Sequence, residues 1–233
     1  MHRSVLLLSL LYASIALAPA TAAQPKQDPF GDIGQILCVE GTERFLPGDY
    51  YFCAANKALQ AGHVAKARAL YEEAARWGDK RAMFNLGLLL YRGESLPQDQ
   101  AQGLAWLALA AERMDATLQR EVLVAAWIEA TPETQDAANA IWNTLKQEYA
   151  DRFVLPRANQ RYEREIAQLR RRLQRDPTIQ LELAGALPGN GSSILRTLDE
   201  AAAETILRPL PGRTGKINVG APETLREQAP NPS

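Results

Sequence analysis

The chain has 233 residues, with 26 lysines and arginines against 27 aspartates and glutamates, and its formal net charge is −1. Both signs are interspersed over most of the sequence, so we expect no basic face and no nucleic-acid partner. About 210 residues follow position 23, which is enough for one or two domains with a hydrophobic core.

Residues 1–23 have the pattern of a signal peptide. A short basic start at residues 1–4 precedes an apolar run at 5–18, and Pro19 is followed by small side chains at 20–23. The pattern predicts cleavage after Ala22 or Ala23 and a periplasmic or secreted protein with no membrane span after cleavage. The alternative is an uncleaved anchor, for which the apolar run is shorter than the roughly 20 residues that cross a bilayer.

Residues 24–46 form an N-terminal extension that contains Cys38, and the second of the two cysteines in the chain is Cys53. An isolated pair in an oxidising compartment predicts a disulfide between Cys38 and Cys53. The alternative is a redox-active pair. Such pairs normally take the form Cys-x-x-Cys near a helix N-terminus, which this spacing does not provide.

The region from Asp49 to about Arg175 is rich in alanine and leucine and poor in β-branched residues, which predicts one helix after another. Glycine or proline marks the breaks: Gly62, Gly78, Gly93 and Pro132. The predicted helices cover residues 49–61, 64–77, 78–91, 100–113, 116–130 and 132–152. We expect Leu155-Pro156 to redirect the chain after the last of them.

A repeat lies inside this helical region. Residues 71–79 read Tyr-Glu-Glu-Ala-Ala-Arg-Trp-Gly-Asp, and 36 positions later residues 107–115 read Leu-Ala-Leu-Ala-Ala-Glu-Arg-Met-Asp. Each copy marks the end of the second helix of a hairpin. A period in the mid-thirties that is built from paired helices indicates an α-solenoid, because each hairpin buries its apolar face only against its neighbours.

One repeat unit resembles the Sel1-like repeat, which is a relative of the tetratricopeptide repeat. The matching residues are Gly78, Asp79, Ala82, Leu86, Gly87, Leu89, Gly93, Asp99, Ala101, Trp106, Ala110 and Ala111. A second helix of the same kind is suggested by Ala65, Ala67, Leu70, Tyr71, Ala74 and Ala75. The resemblance implies an all-α fold, namely an α-solenoid of about three helix-turn-helix repeats over residues 47–153, with a C-terminal capping helix and a disordered tail. The chain departs from the family pattern at Leu90, where tyrosine is usual, and at Ser95-Leu96, where Gly-Val is favoured.

Two further segments follow the repeats, at residues 154–184 and 185–233. In the first, one helical stripe of Tyr162, Ile166, Leu169 and Leu173 is flanked by arginines, which are Arg157, Arg161, Arg164, Arg170, Arg171, Arg172 and Arg175. This arginine-rich helix either caps the solenoid with a polar outer face or is a basic docking helix. The second segment has the proline and glycine content of a mostly disordered tail with one short helix at 193–207. The alternative is a segment that folds on contact with a partner.

Candidate catalytic residues are scarce. Beyond residue 23 the chain has one histidine, His63, and its serines are Ser95, Ser192, Ser193 and Ser233. A Ser-His-acid constellation or a multi-histidine metal site is therefore hard to build, and no phosphate-binding glycine loop is present in the sequence. We expect no catalytic site, no metal and no cofactor.

The resemblance implies a function in protein binding, since Sel1-like proteins act as adaptors and signalling regulators. We expect a non-enzymatic interaction scaffold or regulatory adaptor in the bacterial cell envelope, with a peptide or protein segment held in the concave groove that first helices line. The residues offset from the packing pair Leu86-Gly87 are predicted to face this groove: Phe52, Asn56, Gln60, Arg81, Phe84, Asn85, Leu88 and Tyr91. The alternative is a cell-envelope hydrolase, because some Sel1-like relatives have been assigned β-lactamase activity. Those relatives carry a cysteine pair in each repeat, and here no cysteine follows Gly62.

Overall fold

Helices follow one another through the residues that the computed structural model describes, which are 39–113, 115–176, 178, 180–181 and 189–206. A short 3-10 helix, Thr42–Arg44, comes first. The α-helices are α1 (Pro47–Gln60), α2 (Val64–Arg76), α3 (Lys80–Arg92), α4 (Gln100–Ala110), α5 (Thr117–Glu129), α6 (Pro132–Tyr149), α7 (Asp151–Arg175) and α8 (Gly191–Thr205). Two short strands, β1 (Gln180–Leu181) and β2 (Gly189–Asn190), pair antiparallel. The all-α class is therefore confirmed.

Local signals set several of the helix ends. The side chains of Asp79, Asp99 and Thr131 accept hydrogen bonds from the backbone N–H groups three residues later, which caps α3, α4 and α6. Gly93 ends α3 with a φ of 72°, a left-handed conformation that glycine adopts without steric cost. These signals are visible in the sequence, and the six predicted helices accordingly begin and end within three residues of the observed ones.

The helices form a stack of hairpins. α1 packs along α2, α3 packs along α4, and α2 contacts α3, while α4 contacts both α5 and α6. The prediction of a solenoid of about three helical hairpins is confirmed by this order of contacts. Gly87, half of the packing pair Leu86-Gly87, lies at a close contact between α3 and α4. A Cβ added to Gly87 would lie 3.0 Å from Gly103 O and 3.0 Å from Leu107 N, and a Cβ added to Gly103 would lie 2.8 Å from Gly87 O.

Apolar side chains fill the spaces between these hairpins. One core cluster contains residues of all four helices from α1 to α4 and of the end of α6. Its larger side chains include Tyr71, Met83, Leu86, Leu90, Trp106 and Tyr149. The rings of Trp106 and Tyr149 meet edge to face with centroids 4.8 Å apart. A second cluster holds α4, α5 and α6 together, and its members include Leu104, Leu107, Leu123, Trp127 and, from α6, Ala138. Each hairpin thus buries its apolar side against the next one.

The predicted break at Leu155-Pro156 is wrong. Pro156 lies inside α7, and the chain turns at Ala150 instead, which has extended backbone angles (φ −68°, ψ 147°) between α6 and α7. The turn is fixed by long-range contacts of Asp151, whose N–H donates to Glu112 Oε2 at 2.9 Å. Pro156 is the sixth residue of this 25-residue helix, so it lacks the N–H that would bond the Arg152 carbonyl and its ring crowds that carbonyl.

The arginine-rich helix α7 buries the predicted stripe. Tyr162, Ile166, Leu169 and Leu173 pack in a third cluster, together with Phe45 and Leu46 ahead of α1 and Leu198, Ala201 and Ala202 of α8. Two of its arginines donate to backbone carbonyls of other segments, since Arg161 Nε donates to Arg44 O at 3.0 Å and Arg157 donates to Arg76 O. The stripe and these arginines therefore serve packing, in agreement with a capping helix.

The segment predicted as a mostly disordered tail contains ordered structure. Residues 189–206 form β2 and α8, and α8 packs on α7. The predicted short helix at 193–207 corresponds to α8, which begins two residues earlier. Residues 207–233 of the predicted tail and residues 1–38, with the predicted signal peptide, lie outside the described residues.

Candidate partner-binding surface

The N-terminal ends of α1 and α3 meet at an ion-paired junction. Arg81 donates to Asp49 Oδ1 at 2.6 Å and to Asp79 Oδ2 at 2.5 Å, and its guanidinium lies 4.4 Å from the ring centroid of Phe52. Both carboxylates are buried. Two predicted groove residues, Arg81 and Phe52, are thus brought together by the fold, and both serve contacts between helices.

Burial raises the pKa of Asp49 to about 6, and the neighbouring charge of Asp79 adds to the rise. Arg81 opposes it by stabilising the carboxylate, as does a hydrogen bond with Thr205 at the end of α8. Asp49 therefore links α1 to α3 and α8. The sequence did not single it out, because its partners lie far away along the chain.

A small hydrogen-bond network follows the junction along the same helices. The hydroxyl of Tyr71 in α2 donates to Asn56 Oδ1 at 2.6 Å. Asn85 Nδ2 lies 3.4 Å from Asn56 Oδ1 and 3.5 Å from the Tyr71 oxygen. The two predicted groove amides are thus brought together, with part of their hydrogen-bonding capacity used within the stack. Burial raises the pKa of Tyr71, which keeps its hydroxyl protonated as a donor.

The remaining groove candidates lie at the two ends of this face. Gln60 is exposed at the last position of α1. Phe84, Leu88 and Tyr91 are half-buried and pack towards the cluster between α4 and α5. The Tyr91 hydroxyl donates to Ala126 O at 3.1 Å, which joins the end of α3 to α5. Apart from the exposed Gln60, the predicted residues form a half-buried strip along α1 and α3, and whether this strip binds a partner stays a prediction.

A further surface on α5 was missed from the sequence. Among the described residues, the exposed large apolar side chains are Leu118, Val124 and Ile128 of α5 and Phe153 of α7. The opposite side of α5 already buries Leu123, Ala126 and Trp127. The available signal was that α5 carries apolar residues around most of its circumference, which is more than one packing stripe requires.

The most buried cation, Lys80, is part of a structural cluster. Its Nζ lies 2.8 Å from Leu109 O, 2.8 Å from Glu112 Oε2 and 3.0 Å from Asp151 Oδ1. Arg113 completes the cluster by donating to Asp151 Oδ2 at 2.9 Å. Burial alone would raise the pKa of Asp151, but Lys80 and Arg113 outweigh it and hold the pKa below its ordinary value. The cluster ties α3, the end of α4 and the start of α7 together.

Some predictions concern residues outside the described ranges, and others concern features that the protein is expected to lack. Cys38 lies outside the described residues, so its disulfide with Cys53 stays a prediction. Within the described ranges, there is no group of three or more His, Cys, Asp or Glu side chains that could hold a metal ion. None of the helices in those ranges is long and apolar enough to cross a membrane.

Comparisons with known proteins give one structural likeness. No family model matches the sequence, and no curated protein matches it. The fold is similar to the crystal structure of c5321, a protective antigen present in uropathogenic Escherichia coli strains and displaying an SLR fold. The likeness has a TM-score of 0.40 and 20% sequence identity, and it covers 60% of this chain and 27% of that one. SLR denotes the Sel1-like repeat, which residues 78–111 resemble in sequence. At this TM-score the fold assignment rests on the hairpins of the chain itself.

Proposed function

We propose that this protein is a non-enzymatic interaction scaffold or regulatory adaptor of the bacterial cell envelope. Its partner is a peptide or protein segment that binds along the face of α1 and α3. The supporting observation is the half-buried strip from Phe52 to Tyr91, in which rings and aliphatic side chains lie beside amides. Rings supply contact area at low entropy cost, and amides pair with the backbone of a bound segment.

The charged groups inside the stack support binding over catalysis. Arg81 and Lys80 have short contacts to carboxylates or carbonyls that join helices. A catalytic acid or base needs a reachable position beside a substrate. Both groups are instead engaged in holding the stack together. The scaffold then presents a rigid surface, and a rigid surface lowers the entropy lost when a partner binds.

A photo-crosslinking experiment tests the proposal. A photoreactive amino acid is placed at Leu88 on the strip, at Gln60 at the end of α1, or at the exposed Gln174 of α7 as the matched control. We expect one partner protein to be recovered from envelope extracts with the first two positions and to be absent with Gln174. Equal recovery from all three positions, or from none, would contradict the assignment of the face. Thermal melts confirm that each substituted protein is folded.

Crosslinking is preferred to alanine scanning because the strip also stabilises the fold. Asn85 and Tyr91 make hydrogen bonds to other helices, and losing one such bond costs about 1 kcal/mol. A weaker interaction in those variants would then mix folding with binding. Leu88 has an aliphatic side chain and Gln60 is exposed, so substitution at either position removes none of these hydrogen bonds between helices.

The alternative of a cell-envelope hydrolase is tested directly. Purified protein is incubated with a β-lactam and with peptidoglycan fragments, and turnover is measured against a heat-denatured sample. We expect no turnover above that background. Turnover that persists after a second purification step would replace the binding proposal with an enzymatic one.

Export to the periplasm belongs to the same proposal, and it is supported by the signal-peptide pattern of residues 1–23. Intact-mass measurement of protein recovered from periplasmic extracts is expected to give a chain that starts at Ala23 or Gln24. A mass that still includes Met1 would overturn the predicted cleavage.

A further inference from the structure

The outward side of α5 is an unusual surface within the described residues. Leu118, Val124 and Ile128 have relative exposures of 59%, 37% and 69%. Phe153 of α7 has an exposure of 41%, and the guanidinium carbon of Arg152 lies 4.6 Å from its ring centroid. Three of the four exposed large apolar side chains of the described ranges thus occupy one helix of 13 residues. Clustering of this kind marks an interaction site, whereas single exposed apolar residues are ordinary.

The three side chains share one face of the helix. Glu121 and Ala125 lie between Leu118 and Ile128 at spacings of three or four residues, and Val124 lies one turn before Ile128, so the three apolar side chains share one stripe that also contains Glu121. The buried residues Leu123, Ala126 and Trp127 lie on the other side, against α4 and α6. From Leu118 to Ile128 the stripe is about 15 Å long at 1.5 Å per residue. A stripe of this length can pack against one other helix, whose side-chain ridges fit into the grooves of α5.

The charges within and beside the stripe are acidic. Glu121 and Glu129 are exposed on the same side of α5, and Glu133 and Asp136 are exposed at the start of α6. The cation of α5, Arg120, donates to Arg113 O at 2.7 Å and is therefore directed to the end of α4. Since opposite charges complement each other at the rim of an interface, the occupant of this stripe should carry lysine or arginine beside its apolar residues.

We propose that the outward face of α5 binds an amphipathic helix of a partner protein, with an apolar stripe flanked by lysine and arginine. The apolar side chains of that helix cover Leu118, Val124 and Ile128, and its cations face Glu121 and Glu129. The surface lies beside Tyr91, whose hydroxyl is 3.4 Å from Glu129 Oε2. It adjoins the strip on α1 and α3 at this contact but uses other residues, and it does not require that strip to bind anything.

The test uses two synthetic helical peptides of about 18 residues, which is about five turns. Both carry leucine at the same amphipathic positions, and their polar face is lysine in one and glutamate in the other. Binding to the full exported chain is measured by fluorescence anisotropy. We expect the lysine peptide to bind at least tenfold more tightly than the glutamate peptide, with an affinity that falls as salt is added.

Variants locate the site. Ile128→Ser and Leu118→Ser are each expected to weaken the lysine peptide about tenfold, because each removes an apolar side chain from the interface. Glu121→Gln with Glu129→Gln should reduce both the affinity and its salt dependence. Phe153→Ser removes an exposed apolar side chain elsewhere and is expected to change nothing. All these positions are on the surface, so thermal melts should agree within a degree or two.

Several results would overturn the proposal. Equal affinity for both peptides, or equal weakening by Ile128→Ser and Phe153→Ser, would mean general hydrophobic adsorption. A sedimentation mass that rises with concentration and returns to monomer in Ile128→Ser would assign the stripe to a second copy of this chain. Tighter peptide binding after removal of residues 207–233 would assign it to the chain's own C-terminal segment. Crosslinking at Leu88 is unaffected by any of these outcomes, so the two proposals fail independently.

Discussion

Replacing Gly103 with alanine perturbs the closest approach between two helices in the stack. A Cβ at this position would lie 2.6 Å from Tyr91 N, 2.8 Å from Tyr91 Cα and 2.8 Å from Gly87 O. All three are backbone atoms of α3, so no side-chain rotation relieves the contact, and α3 and α4 must move apart. Overpacking of this kind costs about 1–3 kcal/mol, while the better helix propensity of alanine returns up to about 1 kcal/mol.

We therefore expect Gly103→Ala to lower the free energy of unfolding by about 1–2 kcal/mol, measured by urea unfolding followed by circular dichroism. Gly48→Ala is the matched control, because its added Cβ would meet its nearest neighbours at 3.5 Å, an ordinary contact distance. This control should leave stability unchanged or raise it slightly. If Gly103→Ala proves as stable as Gly48→Ala, the close approach of α3 and α4 does not exist in solution.

Three further predictions concern buried charge and the cysteines. Because the pKa of Asp49 is raised from 3.8 to about 6, its protonation stabilises the folded state at low pH, and this contribution is lost as pH rises through about 6. The difference in unfolding free energy between wild type and Asp49→Asn should thus fall by about 1–2 kcal/mol between pH 5 and 7, and a constant difference would show that Asp49 has an ordinary pKa. Asp151→Asn removes the carboxylate that pairs with Lys80 at 3.0 Å, and it should cost about 3–5 kcal/mol in chemical unfolding. A loss below about 1 kcal/mol would mean that water reaches the cluster. Intact-mass analysis before and after reduction is expected to show one disulfide between Cys38 and Cys53, and alkylation of two thiols without reduction would refute it.

The positions of the helices could be predicted from the sequence because their determinants are local. Asp79, Asp99 and Thr131 cap helices through bonds to residues three positions away. Gly93 ends α3 through its own backbone conformation. Gly87 was identified as half of the packing pair Leu86-Gly87, and it lies at a close contact between α3 and α4. The hairpin stack followed from these signals together with the 36-residue repeat.

The candidate binding surfaces were harder to predict from the sequence than the helices. The eight groove residues were chosen from a repeat register, and the structure shows that several of them also hold helices together. Arg81 is an example, since it was expected to face a ligand and instead lies between two buried carboxylates. The apolar face of α5 was not selected because its composition fits a helix buried on both sides as well as an exposed one. Only the positions of the neighbouring helices show whether this face of α5 is buried or exposed.

The sequence by itself determined the helices, their breaks at glycine and the apolar stripe of α7, because each depends on residues within one or two turns. The tertiary structure alone decided where the chain turns after α6, and it placed that turn at Ala150 although Pro156 was the stronger local signal. The pairs that decide such features are distant, with Arg81 32 residues from Asp49 and Arg113 38 residues from Asp151. Burial makes these pairs strong because a charge removed from water must find an opposite charge or a hydrogen bond, and only the packed helices determine which one is within reach.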